Sequence, residues 1–192
     1  MVETSTAYPV TLSIDYPDRA LNRLTTFFRV LTAIPIFIIV DLLSSGVGLP
    51  TLLMILFRQK YPRWWFDWNV ALTRFGARVE AYIFLLRDEY PSTDEEQAVY
   101  IEIPYPDVGE DLNRWLPMVK WFLAIPHYVV LAILSIAELV CVIIAWFAIM
   151  FTGRYPVALF DFVVGVFRWK LRVAAYAFLL NTDRYPPFRL SA

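Results

Sequence analysis

Two acids interrupt stretches that are otherwise apolar: Asp41 within residues 36–57 and Glu138 within residues 127–152. A carboxylate in such a setting is unfavourable unless it faces a protein interior, where it locks helices together or marks an ion path. Candidate partners lie on two other segments. Asp67, Arg74 and Arg78 follow at spacings of seven and four, so they share one helix face. Asp161, Arg168 and Arg172 repeat that pattern. The arginines either pair with Asp41 and Glu138 or hold lipid phosphate, which a guanidinium grips in a fork. Asp67 and Asp161 stand near the starts of their helices and are expected to orient the arginines or cap the helices. His127, the only histidine, reads as a ligand or pH-sensitive group, or as a plain helix-start histidine. A haem held by two histidines would need the second from another subunit. The only cysteine, Cys141, reads as a small buried apolar side chain. No nucleophile-and-base set, Gly-rich phosphate loop or metal-ligand spacing emerges. The chain is therefore expected to be no enzyme and to hold no cofactor or metal.

The elements that would position these groups are legible in order. Residues 8–17 alternate, with Val10, Leu12, Ile14 and Tyr16 on one face, which predicts a half-buried strand. Residues 19–34 carry Leu21, Leu24, Phe28 and Leu31 at helical spacing with Arg19, Arg23 and Arg29 off that stripe, as an amphipathic interfacial helix would. Ile34-Pro35 should kink or restart it. Residues 36–57 are long enough to span a bilayer, but Asp41, Ser44-Ser45, Gly46, Gly48 and Pro50 interrupt them. They read as a kinked span or a re-entrant hairpin. A short basic turn, 58–63, leads into a charged-stripe helix at 64–86. Residues 88–111 hold acids and no Lys or Arg, and include a second alternating strand from Val99 to Tyr105.

The second half repeats the first. Tyr16-Pro17-Asp18 matches Tyr105-Pro106-Asp107, and Leu21-Asn22-Arg23 matches Leu112-Asn113-Arg114. Arg29 matches Lys120, Ala33-Ile34-Pro35 matches Ala124-Ile125-Pro126, and Tyr61-Pro62 matches Tyr155-Pro156. Arg74 and Arg78 match Arg168 and Arg172, and Tyr90-Pro91 matches Tyr185-Pro186. The repeats are assigned to residues 8–91 and 99–188, joined by an acidic linker at 92–98. Each reads strand, interfacial helix, apolar span, Tyr-Pro turn, charged-stripe helix.

Composition agrees. The chain is 59% hydrophobic and 17% aromatic, with a mean hydropathy of +0.53. That exceeds the apolar share of ordinary soluble domains. Tyr61, Trp64, Trp65, Tyr155 and Trp169 are the expected membrane-interface anchors, because amphipathic rings favour the headgroup level. Net charge is −1, which speaks against nucleic acid as a partner. The N-terminus lacks a basic region followed by an apolar core, so no cleavable signal is expected. If the charged-stripe helices also span, both strands lie on one side and can pair. The fold class expected is a mostly α membrane protein: two parallel repeats, about four transmembrane helices and a small extramembrane β element. Lys and Arg favour the strand side, which places the termini in the cytoplasm.

Ala-Ile-Pro-His at 124–127, Phe-Thr-Gly-Arg-Tyr-Pro at 151–156, Phe-Asp-Phe-Val-Val-Gly-Val at 160–166 and Asp-Arg-Tyr-Pro-Pro-Phe at 183–188 resemble the bacterial membrane proteins grouped as domain of unknown function 4389. The resemblance covers nearly the whole chain, the second repeat more closely. The first departs at 57–62, Phe-Arg-Gln-Lys-Tyr-Pro, and has Ile36 where the second has His127. The resemblance implies location in the bacterial cytoplasmic membrane and helical architecture, and no activity. The functional expectation is a non-catalytic accessory or scaffold subunit that packs among membrane lipids with other subunits or in a homo-oligomer. The alternative is a lipid- or small-solute-binding or transport protein using the arginine stripe.

Overall fold

The computed structural model describes residues 8–44 and 46–191. Ser45, one of the interruptions noted above, and residues 1–7, which belong to the N-terminal stretch read as no cleavable signal, lie outside the described residues. The two predicted strands form, β1 at Thr11–Ile14 and β2 at Val99–Glu102. They pair antiparallel, with Leu12 opposite Ile101 and Ile14 opposite Val99. Alternation decides their faces: Leu12, Ile14, Val99 and Ile101 are buried, while Thr11, Ser13, Tyr100 and Glu102 are exposed.

Helix α1 runs over Arg23–Ser44 and α2 over Gly48–Arg58. The helix does not restart at Ile34-Pro35, and Pro35 stands inside α1. The carbonyl it frees, on Leu31, belongs to an exposed turn. Residues 46–47 interrupt the helix instead, so the predicted interfacial helix and the first part of the apolar run are one element. Helix α3 occupies Arg63–Ile83. In the second half, α4 covers Pro117–Leu123 and α5 covers Ile125–Thr152. There the break comes where predicted, since Pro126 lies in the first turn of α5 and needs no N–H partner. Helix α6, Val157–Ala174, ends in a π-helical turn, Ala175–Leu179.

The sheet packs on α3 and α6, and these pack on α1 and α5 respectively. Neighbours run antiparallel. Arg23 donates to the Phe151 carbonyl at 3.2 Å and Phe27 meets the Trp146 ring, so the start of α1 lies beside the end of α5. Tyr61, just before α3, donates to the Leu179 carbonyl at 3.1 Å, beyond α6. One large core cluster joins the inner strand faces to α3, α5 and α6.

Among the described residues two stretches, Arg23–Arg58 and Ile125–Thr152, are long and apolar enough to cross a membrane, where the sequence predicts four. Helices α3 and α6 differ in kind, because they lie between the sheet and the apolar helices and carry charges that serve the sheet.

Candidate functional site

Among the described residues, the four stripe arginines hold backbone, not acids. Arg74 Nε donates to the Ile101 carbonyl at 3.3 Å, and Arg168 Nε to the Leu12 carbonyl at 3.1 Å. Arg78 reaches the Ser92 carbonyl at 2.6 Å. Arg172 reaches the Arg189 and Ser191 carbonyls at 3.2 and 2.5 Å. Each guanidinium thus satisfies carbonyls of an extended segment that has few ladder partners of its own. The predicted pairing with Asp41 and Glu138 is not what they do. Asp41 is exposed on α1. Asp67 is exposed and pairs with Arg63 at 3.3 Å, one turn back, and makes no helix cap. Asp161 is exposed near the start of α6 and acts on Arg168 only through its charge.

Glu138 does face the interior, at 1% exposure, and its partner is Lys170. Lys170 Nζ lies 2.6 Å from Glu138 Oε2 and 3.2 Å from Glu80 Oε1, joining α5, α6 and α3. The sequence reading missed Lys170. The signal was its place between Arg168 and Arg172: two residues from each, it points about 200° round the helix from the arginine face, toward α5.

A second pair of charges recurs in both halves. Arg29, 2% exposed, bonds the Tyr82 and Arg87 carbonyls at 2.9 and 2.7 Å, pairs with Asp88 and lies over the Tyr82 ring. Lys120, 0% exposed, donates to the Thr182 carbonyl, forms an ion pair with Asp183, both at 2.7 Å, and lies over the Tyr176 ring. The second oxygen of each aspartate accepts an N–H at 2.6 Å, from Asn22 and Asn113. Each clamp ties the entry of an apolar helix to the exit of a charged-stripe helix. Burial lowers the Lys120 amine from its ordinary value, against the opposing pull of Asp183. The matching Arg29 and Lys120 were visible in the repeat; the matching Asp88 and Asp183, each two residues before a Tyr-Pro, went unread.

Three of the five predicted anchors are not at an interface. Tyr61, Tyr155 and Trp169 are buried. Tyr61 accepts from Asn69 Nδ2 at 3.1 Å, and Trp169 donates to His127 Nδ1 at 3.0 Å. The two tyrosines pack edge-on against Phe66 and Phe160. Trp65 is half-buried and donates to Thr51 at 2.8 Å. Trp64 is exposed. His127 is fully buried and stacks on Phe188 at 4.0 Å, so it fastens the C-terminal segment to α5. Cys141 is half-buried and free.

What stays exposed is an apolar helical surface. On α5 it includes Val129, Ile133, Ile136, Leu139, Val140, Ile143, Ile144 and Phe147. On α1 it includes Leu24, Phe27, Val30, Leu31, Ile34, Phe37 and Ile38, and on α4 Met118, Trp121 and Phe122. The break between α1 and α2 opens a cleft of about 560 Å³ beside Asn69, Leu72 and Phe178. The outer sheet face and its flanking loops instead expose Asp15, Asp94, Glu95, Glu102 and Glu110.

No curated protein matches the chain, and no solved structure does. The profile of the domain of unknown function DUF4389 matches twice, at residues 23–93 and 115–189. Each match runs from an apolar helix through a Tyr-Pro turn to the segment after the charged-stripe helix, so the chain belongs to the DUF4389 family and carries its domain in two tandem copies.

Proposed function

We propose that this protein is a non-catalytic membrane protein, an accessory or scaffold subunit that contacts lipid and neighbouring subunits through α1, α4 and α5. The observation that carries the reading is the segregation of its surface. Large apolar side chains cover the exposed sides of α1, α4 and α5, while the sheet side exposes mostly polar and acidic groups, Thr11, Ser13, Asp15 and Glu102 among them. Soluble monomers rarely expose contiguous apolar patches beyond a few hundred Å². Asp41, exposed among these side chains, is the natural polar contact for another subunit. The alternative of a solute groove lined by the arginine stripe has less support, because Arg74, Arg78, Arg168 and Arg172 all bond backbone carbonyls.

Membrane fractionation followed by native mass spectrometry of the gently extracted protein tests this. The expected result is retention in carbonate-washed membranes and a stoichiometric protein complex or homo-oligomer. Recovery in the soluble fraction would refute the membrane reading. A monomer with one defined lipid would replace the scaffold role with lipid handling.

A further inference from the structure

The layering constrains how the molecule can meet a bilayer. Residues 8–16 lie lengthwise along α6. Tyr8 donates to the Arg172 carbonyl at 3.3 Å toward one end. Arg168 holds Leu12 midway. The Tyr16 ring meets Phe160 at 5.1 Å, and its hydroxyl donates to the Tyr155 carbonyl at 2.5 Å, at the other end. Residues 99–105 follow α3 in the same way, through Ile101 with Arg74, Tyr105 with Phe66, and the Tyr105 hydroxyl with the Tyr61 carbonyl. Helices α3 and α6 pack along α1 and α5. If α1 and α5 stood upright in a membrane, both extended segments would stand at hydrocarbon depth.

That arrangement is unfavourable. The sheet has two strands and two open edges, and its outer face presents Ser13, Asp15 and Glu102. Hydrocarbon tolerates neither open strand edges nor lipid-facing carboxylates. Laying the helices flat takes the strand edges and the carboxylates of the sheet out of hydrocarbon, and leaves Asp41 as the one acid on the apolar side of α1, the contact for another subunit. The apolar side of α1, α4 and α5 then faces acyl chains, and the sheet side faces water. Leu12 pairs with Ile101, its own counterpart in the other copy, so the local two-fold relation between copies passes through the sheet. With that axis along the membrane normal, both copies present the same face to lipid. Exposed Arg58 closes α2, and exposed Lys60 and Arg154 follow the ends of α2 and α5, placed to meet headgroup phosphates.

We infer that α1 and α5 lie in the plane of one leaflet of a phospholipid bilayer, as a wedge, and do not cross it. This rests on the membrane reading above and adds an orientation to it. The two ends of the helical layer then face the same compartment. Asp18 marks one end, near the contact of Leu21 with Gly153. Glu110 marks the other, beyond the cleft between Tyr61 and Gly109.

The test uses the full chain carrying Cys141→Ser, with Asp18→Cys or Glu110→Cys, in native membranes and a membrane-impermeant maleimide. Labelling of both sites from the same side is expected; labelling from opposite sides would overturn the inference. Wild-type protein in oriented bilayers of phosphatidylethanolamine and phosphatidylglycerol gives a check free of substitutions. Polarised infrared dichroism should place the mean helix axis parallel to the membrane, and a perpendicular mean axis would overturn the inference. Protein that fails to associate with membranes at all would remove the underlying membrane reading, an outcome distinct from either orientation.

Discussion

At the residue scale, the charges inside this protein are structural clamps. Arg29 is held by two carbonyls, a carboxylate and a ring, with little water left around it. Truncating one member of such a pair leaves the other charge buried and uncompensated, typically a loss of about 3–5 kcal/mol. Arg29→Ala should lower stability by that order in chemical denaturation of the detergent-solubilised protein, and an unchanged midpoint would contradict the clamp role. Lys170→Met tests the other cluster. It removes the cation between Glu80 and Glu138, so the variant should be destabilised at neutral pH. The deficit should shrink as pH falls and the carboxylates take up protons. A deficit independent of pH would mean that packing, not charge, holds this junction. Glu138 was legible as an acid needing a partner because it interrupts an apolar run. Its partner was not, because a stripe drawn through Arg168 and Arg172 leaves Lys170 on the far side. The arginines themselves were legible as a face, and their use was not, because carbonyl acceptors leave no mark in a sequence.

At the element scale, strands and helices followed their periodicities, and the breaks did not follow proline alone. Pro126 opens α5, while Pro35 stands inside α1. The helix ends carry a clearer local rule. Helix α5 ends at Gly153 with φ 75°, in the left-handed region, where its N–H bonds the Ile149 carbonyl. Helix α2 ends at Gln59 with φ 45°, the same region without a glycine. A side chain there costs about 1–2 kcal/mol. A Cβ on residue 153 would also come within 3.4 Å of Ala20 Cβ. Gly153→Ala should therefore destabilise by about 1–2 kcal/mol, and Gln59→Gly should stabilise by up to about 1 kcal/mol. Thermal denaturation of the two variants checks both signs. The absent Thr-Gly pair in the first turn marks this difference in the sequence; the handedness of Gln59 needed the structure.

At the scale of the whole molecule, each extended segment covers a stripe helix in the other half of the chain. Residues 8–16 cover α6, and residues 99–105 cover α3. The antiparallel pairing of β1 and β2 joins the two covers. Sequence alone showed two copies and two strands able to pair, but a strand's alternation does not say which helix it covers. The consequence is mutual dependence: without residues 8–16, α6 lacks the cover for its Arg168 face, leaving Val164 and Leu171 open to water. Cutting the exposed linker between Asp94 and Glu95, through an inserted protease site, should leave the two fragments bound in mild detergent, since residues 8–16 on α6, residues 99–105 on α3, α1 on α5 and the Lys170–Glu80 pair all hold across it. The fragments should co-migrate by size exclusion and separate only on denaturation. If they separate in mild detergent while each stays folded, the two halves are independent domains and the crossing segments contribute little to holding them together.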